Sequence, residues 1–354
     1  MWIVVCLGDR QILRTLSPVP VCMYPLKQRP PRCSWLFATS MAIGILAGCA
    51  AIELHEDNDQ IRASTDPDLI ARGRHLVYGP GHCAHCHGNP DRDAEMRAGR
   101  EIPLSGGRVF DLGLLGSMVA PNITSEPVSG IGNLSDKILV RSLRYGVSSD
   151  GRPLAPFMAF ADLSDRDLQA IISFLRTLPP VAADDQHDLS PLGTLAVRVL
   201  LRPQMPTSPS RVAMEPEPTA EYGRYLAHTV ANCNGCHTRR SKLTGAFVGP
   251  PFGGGMVMEA DSGSFVVPDI TPGGGGMLDH LTQSGFVGLF RAKGRVAIES
   301  PMPWSAFSRM SDTELKAIFA YLQTLPPAQS VAGGSHTPEV WHAPDTPADE
   351  YASD

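Results

Sequence analysis

Cys83-Ala84-His85-Cys86-His87 returns later in the chain as Cys233-Asn234-Gly235-Cys236-His237, and its surroundings return with it. Upstream, Arg72-Gly73-Arg74-His75-Leu76 is answered by Tyr222-Gly223-Arg224-Tyr225-Leu226. Downstream, Pro121-Asn122-Ile123-Thr124 is answered by Pro268-Asp269-Ile270-Thr271. Ser164-Asp165-Arg166-Asp167-Leu168 is answered by Ser311-Asp312-Thr313-Glu314-Leu315, and both copies close on Thr-Leu-Pro-Pro, at 177–180 and 324–327. The separation is 150 residues at the cysteines (83 to 233) and 147 at the later landmarks (121 to 268, 164 to 311). An internal repeat of this kind predicts two homologous domains, 65–180 and 219–327, joined by a linker over 181–218.

The periodicity within each copy is helical. Asp66-Pro67 supplies an N-cap and a first-turn proline, predicting a helix over about 67–78; Thr219 opens its counterpart, over about 219–230. Ser135 opens a helix that Gly146 ends. Ser164 and Ser311 each open a final helix, with Leu168, Ile171, Ile172 and Leu175 forming one apolar stripe and Leu315, Ile318, Phe319 and Leu322 repeating it. The double proline stops both. No run alternates long enough for a substantial sheet, so the fold class is all-α. With 34 Gly and 32 Pro in 354 residues, the loops between helices are long. Leu192 to Leu201 is an apolar stretch in the linker, read as a short helix packed on one domain. Residues 328–354 read as a flexible tail.

Two cysteines three apart, followed at once by His, form the attachment pattern for a c-type haem. The two thiols add across the two vinyl groups of one porphyrin, and the next His turns its imidazole onto the iron. Zinc would need further Cys or His ligands nearby, and thiol redox chemistry would need a βαβ setting that the pattern lacks. Cys83, Cys86 and His87 are therefore the expected attachment and proximal residues of one haem, and Cys233, Cys236 and His237 of a second. For the sixth iron ligand each copy offers a proline-flanked Met shortly before its final helix: Met158, after Asp150-Gly151-Arg152-Pro153-Leu154, and Met302, within Pro301-Met302-Pro303-Trp304. A thioether there favours Fe(II) and raises the potential. Met310 aligns with Leu163 and reads as core; Met118, Met256 and Met258 lie in glycine-rich loops. His82 and His85 have no repeat counterparts and read as surface residues, while His75 and His228 read as packing or surface. Pro121 and Pro268 are expected to shape a loop near the proximal His, whose free ring N–H commonly donates to a backbone carbonyl.

The N-terminus reads as an export signal over 1–48. Lys27, Arg29 and Arg32 precede an apolar run, Trp35 to Leu46, and a start at Met23 would give a more typical basic region. The run ends in Leu46-Ala47-Gly48-Cys49, which resembles a bacterial lipobox and makes Cys49 a lipidation site, with 49–64 as a tether. Cleavage there removes three of eight cysteines and leaves Cys49 plus the two pairs, which excludes a disulfide scaffold. It also moves the net charge from −6 to −10, against nucleic-acid binding.

The succession of Cys-X-X-Cys-His, Pro-Asn-Ile-Thr, Gly130-Ile131-Gly132-Asn133-Leu134-Ser135-Asp136, Asp-Gly-Arg-Pro-Leu, Met and a Ser-Asp-opened helix resembles class I c-type cytochrome domains. More narrowly it is similar to the tandem domains of cytochrome subunits that serve membrane-bound alcohol, aldehyde and gluconate dehydrogenases. Those subunits typically carry three such domains; this chain has two. The resemblance covers about 65–180 and 215–327. It implies two tandem cytochrome c-like helical domains, two covalently bound haem c groups and electron transfer, with no independent catalysis. The expected partners are a dehydrogenase or quinol system upstream and an oxidase or cytochrome downstream, on the bacterial periplasmic side, as a membrane-anchored lipoprotein or as a soluble protein. A di-haem oxidoreductase of peroxidase or thiosulfate-oxidising type is the alternative; it would need one iron with an open or exchangeable site.

Overall fold

The computed structural model describes residues 60–155, 158, 160–183, 187–207, 213–241, 245–260, 263–292 and 301–328. The signal over 1–48, Cys49, most of the tether and the tail beyond Ala328 lie outside the described residues.

In the first copy, α1 (Pro67–Tyr78) starts where the Asp66 carboxylate accepts from Asp68 N–H at 2.9 Å. A one-turn helix, α2 (Ala84–His87), and a second short one, α3 (Asp93–Arg97), follow. Next come α4 (Asp136–Tyr145), ended by Gly146 in the left-handed region at φ 59°, and α5 (Asp165–Thr177), capped by Ser164. The stripe read from the sequence is the buried side of α5: Leu168, Ile171, Ile172 and Leu175 are all in the core. The α1–α5 crossing is set by Gly73, where a Cβ would lie 2.0 Å from the Ala170 carbonyl oxygen. No side chain fits there, so two helix backbones touch and Leu76, Val77 and Phe174 close around the contact.

The second copy repeats this order. The expected helix over 219–230 is α7 (Ala220–Tyr225) continued by a wider π turn, Leu226–Val230. After it come α8 (Cys233–His237), α9 (Gln283–Arg291), the short α10 (Trp304–Phe307) and α11 (Asp312–Leu322). Helix α9 corresponds to α4 but is not legible in the sequence, because Gly285 and Gly288 lower its propensity. The crossing of α7 and α11 repeats the first: a Cβ on Gly223 would lie 1.9 Å from the Ala317 carbonyl oxygen.

The glycine-rich loops hold short strands that the all-α expectation lacks. β1 (Val109–Asp111) and β2 (Gly116–Val119) form an antiparallel hairpin, with Phe110 opposite Met118. Residues of the linker add β3 (Asp188–Leu189) to its edge, followed by α6 (Pro191–Leu200). β4 (Val257–Ala260) pairs antiparallel with β5 (Gly263–Val266) at the equivalent place in the second copy. These ladders are too short to stand alone and ride on the helical core. No helix among the described residues is long and apolar enough to cross a membrane.

The two copies fall within one compact unit of the chain. Their contact is built from swapped acids at the starts of the final helices. Glu314, buried, takes the His75 ring Nε2–H at 2.9 Å and Arg72 at 3.3 Å from the first copy. Asp167, its repeat partner, takes the Tyr225 hydroxyl at 2.7 Å from the second copy and Arg72 at 2.9 Å. Glu314 also closes a capping box with Ser311, accepting that residue's N–H at 2.8 Å. Asp167 is one methylene shorter; the Ser164 N–H donates instead to the Tyr225 hydroxyl at 3.2 Å. His75, read as packing or surface, is thus a joint between copies.

Two consequences are measurable in denaturant. Gly73→Ala or Gly223→Ala should destabilise by about 1–3 kcal/mol through overpacking. Gly288→Ala, mid-helix with nothing near a new Cβ, should stabilise by roughly 0.5–1 kcal/mol. The Glu314 carboxyl is buried, which alone would raise its pKa, but the bond and charge of His75, the Ser311 N–H and Arg72 bring it below the ordinary value. A depressed folded-state pKa gives stability that is complete above the unfolded value of about 4.3 and is lost as pH falls through the folded one. Unfolding midpoints measured against pH should therefore drop on the acid side, and Glu314→Gln should flatten that limb.

Candidate functional site

The Cys-X-X-Cys-His segments are single helical turns entered from a left-handed residue. His82 has φ 41° and Asn232 φ 48°, so the mismatch between these repeat positions hides a shared backbone need that Asn and His meet more readily than most residues. In each copy the two cysteines and the histidine stand at i, i+3 and i+4. That spacing puts all three side chains on one face of the turn. Cys83 and Cys233 pack at the margin of the apolar core, as do Met158 and Met302.

The histidines are fixed in the same way twice. His87 and His237 are buried, and their ring Nδ1–H groups donate to the carbonyls of Pro121, at 2.8 Å, and Pro268, at 3.0 Å. This bond selects the tautomer and leaves Nε2 with a lone pair for a metal ion. The carbonyls are held by the motif that carries them. Asn122 accepts from the Thr124 N–H at 2.9 Å and its hydroxyl at 2.7 Å; Asp269 accepts from the Thr271 N–H and hydroxyl, both at 2.7 Å. Burial lowers the His237 pKa, with the Pro268 bond opposing it.

Residues that the sequence did not single out complete the frame. Gly106 (φ 73°) donates its N–H to the His87 carbonyl at 2.8 Å, and Gly254 (φ 62°) to that of His237 at 2.7 Å. A Cβ on Gly106 would sit 2.7 Å from Asn122 N, and one on Gly254 2.6 Å from Asp269 N. The signal was the glycine run, 106–107 and 253–255, at matching repeat positions. Arg144 and Arg291 are a second pair. Arg144 is fully buried and donates to the Leu163 carbonyl at 2.9 Å and to Asp165 at 2.5 Å. Arg291 donates to the Ser308 and Met310 carbonyls, each at 2.7 Å, and to Asp312 at 2.6 Å. Each arginine ties the segment that follows a candidate ligand Met to the start of the final helix.

Met310 and Leu163 are core residues as read. Met118 lies in β2 and Met258 in β4. His82 and His85 are not the surface residues expected: His82 packs edge-on against Phe307 at 5.4 Å, and His85 is half-buried with an unpartnered Nδ1. His228 is a packing residue, bonded to the Tyr321 hydroxyl at 2.7 Å.

Burial pushes the Cys83 and Cys233 thiols up to about 12, the reverse of the lowered pKa that a redox thiol needs. The Cys86 thiol is raised by burial, pulled down by Arg108 and raised by Cys236. Among the described residues no three His, Cys, Asp or Glu side chains cluster to cage a metal ion. What the residues fit is an iron carried in its own macrocycle, with two thiols to attach it and a neutral imidazole to bind it. The Trp304 indole N–H, buried without a partner two residues after Met302, is the kind of donor that a propionate satisfies.

No protein-family model matches the chain. A "Diheme cytochrome c-type" protein of Cereibacter sphaeroides is 30% identical over 306 residues, 81% of this chain and 96% of the relative. The "Fructose dehydrogenase cytochrome subunit" of Gluconobacter japonicus is 27% identical over 328 residues, 85% of this chain and 62% of the relative. The "Alcohol dehydrogenase (quinone), cytochrome c subunit" of Gluconacetobacter polyoxogenes is 26% identical over 322 residues, 83% of this chain and 62% of the relative. The chain thus spans under two thirds of the length of both dehydrogenase subunits.

Removing the buried arginine should be costly. Arg144→Leu leaves the Leu163 carbonyl, the Ala161 carbonyl at 3.3 Å and the Asp165 carboxylate without their donor, an expected loss of about 3 kcal/mol in unfolding free energy. Arg144→Lys should recover only part of it, because one ammonium cannot reproduce the guanidinium fork.

Proposed function

The chain belongs to the family of di-haem c-type cytochromes, with two covalently bound c-type haems, and we propose that it is a periplasmic electron carrier with one haem in each copy of the repeat. The copies would act as two cytochrome c domains, 65–180 and 219–327. The observation that carries this reading is the repeated pairing of a buried histidine with a proline carbonyl, His87 with Pro121 and His237 with Pro268, beside two cysteines on the same helical face.

In this reading Cys83 and Cys86, and Cys233 and Cys236, form the thioether links. His87 and His237 present Nε2 to the iron, held by the carbonyl bonds at Nδ1. Met158 and Met302 supply the sixth ligands from the segments that Arg144 and Arg291 tie down. Bound in this way, each haem supplies a reversible one-electron Fe(III)/Fe(II) couple. The protein's share would be to exclude water and hold His87, Met158, His237 and Met302 in place, which favours transfer over catalysis.

The partners that fit are a dehydrogenase or quinol system as donor, in keeping with the dehydrogenases that its relatives' names carry, and an oxidase or further cytochrome as acceptor. Acylation at Cys49 would hold the protein to the periplasmic face of a membrane. Both groups of residues are open to test. Met158→Ala and Met302→Ala should each convert one low-spin centre, seen in the oxidised spectrum, and leave the other unchanged. Native ligation in either variant removes that Met from the assignment. A high-spin centre in the wild type together with peroxide turnover would overturn the carrier reading.

A further inference from the structure

Helix α6 is built inside out. Its buried side is Gly193 and Val197, with Gly193 so close to the 113–115 turn that a Cβ would lie 1.9 Å from the Leu115 carbonyl oxygen. On the opposite side stand Leu192, Leu195 and Val199 at i, i+3 and i+7, which is one stripe of a helix. Their exposures are 59%, 58% and 52%. Leu114, on the turn that seats the helix, is 92% exposed and extends the patch. A linker helix on a soluble surface normally turns such a stripe inward. Here the polypeptide holds it outward, with the Ser190 side chain capping the helix at 3.0 Å and β3 pairing to β2 on its approach.

The charge around the stripe selects its occupant. From residue 189 to 214 there is no Asp or Glu, whereas Arg198, Arg202 and Arg211 are present, in a chain whose acids exceed its bases. Arg198 and Arg202 are exposed and make no ion pair with a described residue. An apolar stripe flanked by unpaired guanidinium groups matches the boundary of an anionic bilayer: leucines enter the acyl region while arginines stay at the phosphates. It matches an acidic protein surface less well, because that would leave the leucines without a partner.

We propose that α6 and the Leu114 turn form a membrane-contact surface for anionic phospholipid, lying flat at the headgroup boundary. This contact goes beyond the Cys49 anchor and does not require it. With a lipid at the N-terminus it would be the second of two weak attachments, and such pairs are what make peripheral binding stable. It would also fix which side of the two-haem unit faces away from the bilayer.

The test uses full-length, haem-loaded protein carrying Cys49→Ser, so that no acyl chain contributes. Sedimentation with vesicles of equal phosphatidylglycerol and phosphatidylcholine should show binding that weakens with salt, and vesicles of phosphatidylcholine alone should bind much less. Leu195→Asp with Val199→Asp should lower partitioning by about tenfold or more, and Arg198→Gln with Arg202→Gln should reduce it and its salt dependence. These side chains are exposed, so the haem spectrum and melting temperature should hold. Absence of binding to anionic vesicles, unchanged binding in the double Asp variant, or a wild-type dimer in solution that the double Asp variant splits would each overturn the proposal. Failure of Cys49 acylation would instead affect only the anchor.

Discussion

The backbone contact of Gly73 with Ala170, repeated as Gly223 with Ala317, is the constraint on which the rest depends. It brings the first and last helices of each copy together at a distance that no side chain allows. Everything between those helices must then fit a fixed frame. The chain leaving α1 turns through Gly79 and Gly81 directly into the Cys-X-X-Cys-His turn. The chain leaving α5 returns to the Pro-Asn-Ile-Thr motif, where Asn122 donates to the Val181 carbonyl at 2.7 Å. In the second copy the Ala328 N–H donates to the Thr271 hydroxyl at 2.9 Å. The helix crossing thus reaches the proline carbonyls, and through them the histidine rings. A helix crossing is thereby linked through a short chain of bonds to the histidine rings.

The junction of the copies follows the same economy. Each final helix begins with an acid that its own N-terminus favours. That acid is also used by the neighbouring copy, Glu314 by His75 and Arg72, Asp167 by Tyr225. Because the bonds across the joint are buried, separating the copies would leave the Glu314 and Asp167 carboxylates stripped of partners. For a two-haem carrier the benefit is a fixed relation between the two redox sites.

The repeat made much of this legible. Cysteine spacing, the capping serines and the apolar stripes of α5 and α11 follow local rules that act within a few residues, and α1 has the bounds that its cap and proline imply. The carbonyl bonds to His87 and His237 were legible in kind, through the prolines. Other features were hidden for definite reasons. Helix α9 carries two glycines, and its stability comes from packing of Phe286 and Phe290 rather than from propensity. Arg144 and Arg291 look like ordinary last-turn cations until their carbonyl acceptors, seventeen or more residues away, are seen. The positive φ shared by His82 and Asn232 unites two residues whose side chains have little in common. The outward stripe of α6 has the periodicity of a buried helix, and only the fold shows which side is covered.

The central claim is that each of the two Cys-X-X-Cys-His turns carries its own haem. Peptide mapping by mass spectrometry on the protein isolated from a host with cytochrome c maturation tests it directly. The account predicts one haem mass on the peptide containing Cys83 and Cys86 and another on the peptide containing Cys233 and Cys236. Unmodified thiols in either peptide of the mature protein, or both haems on one of them, would contradict it.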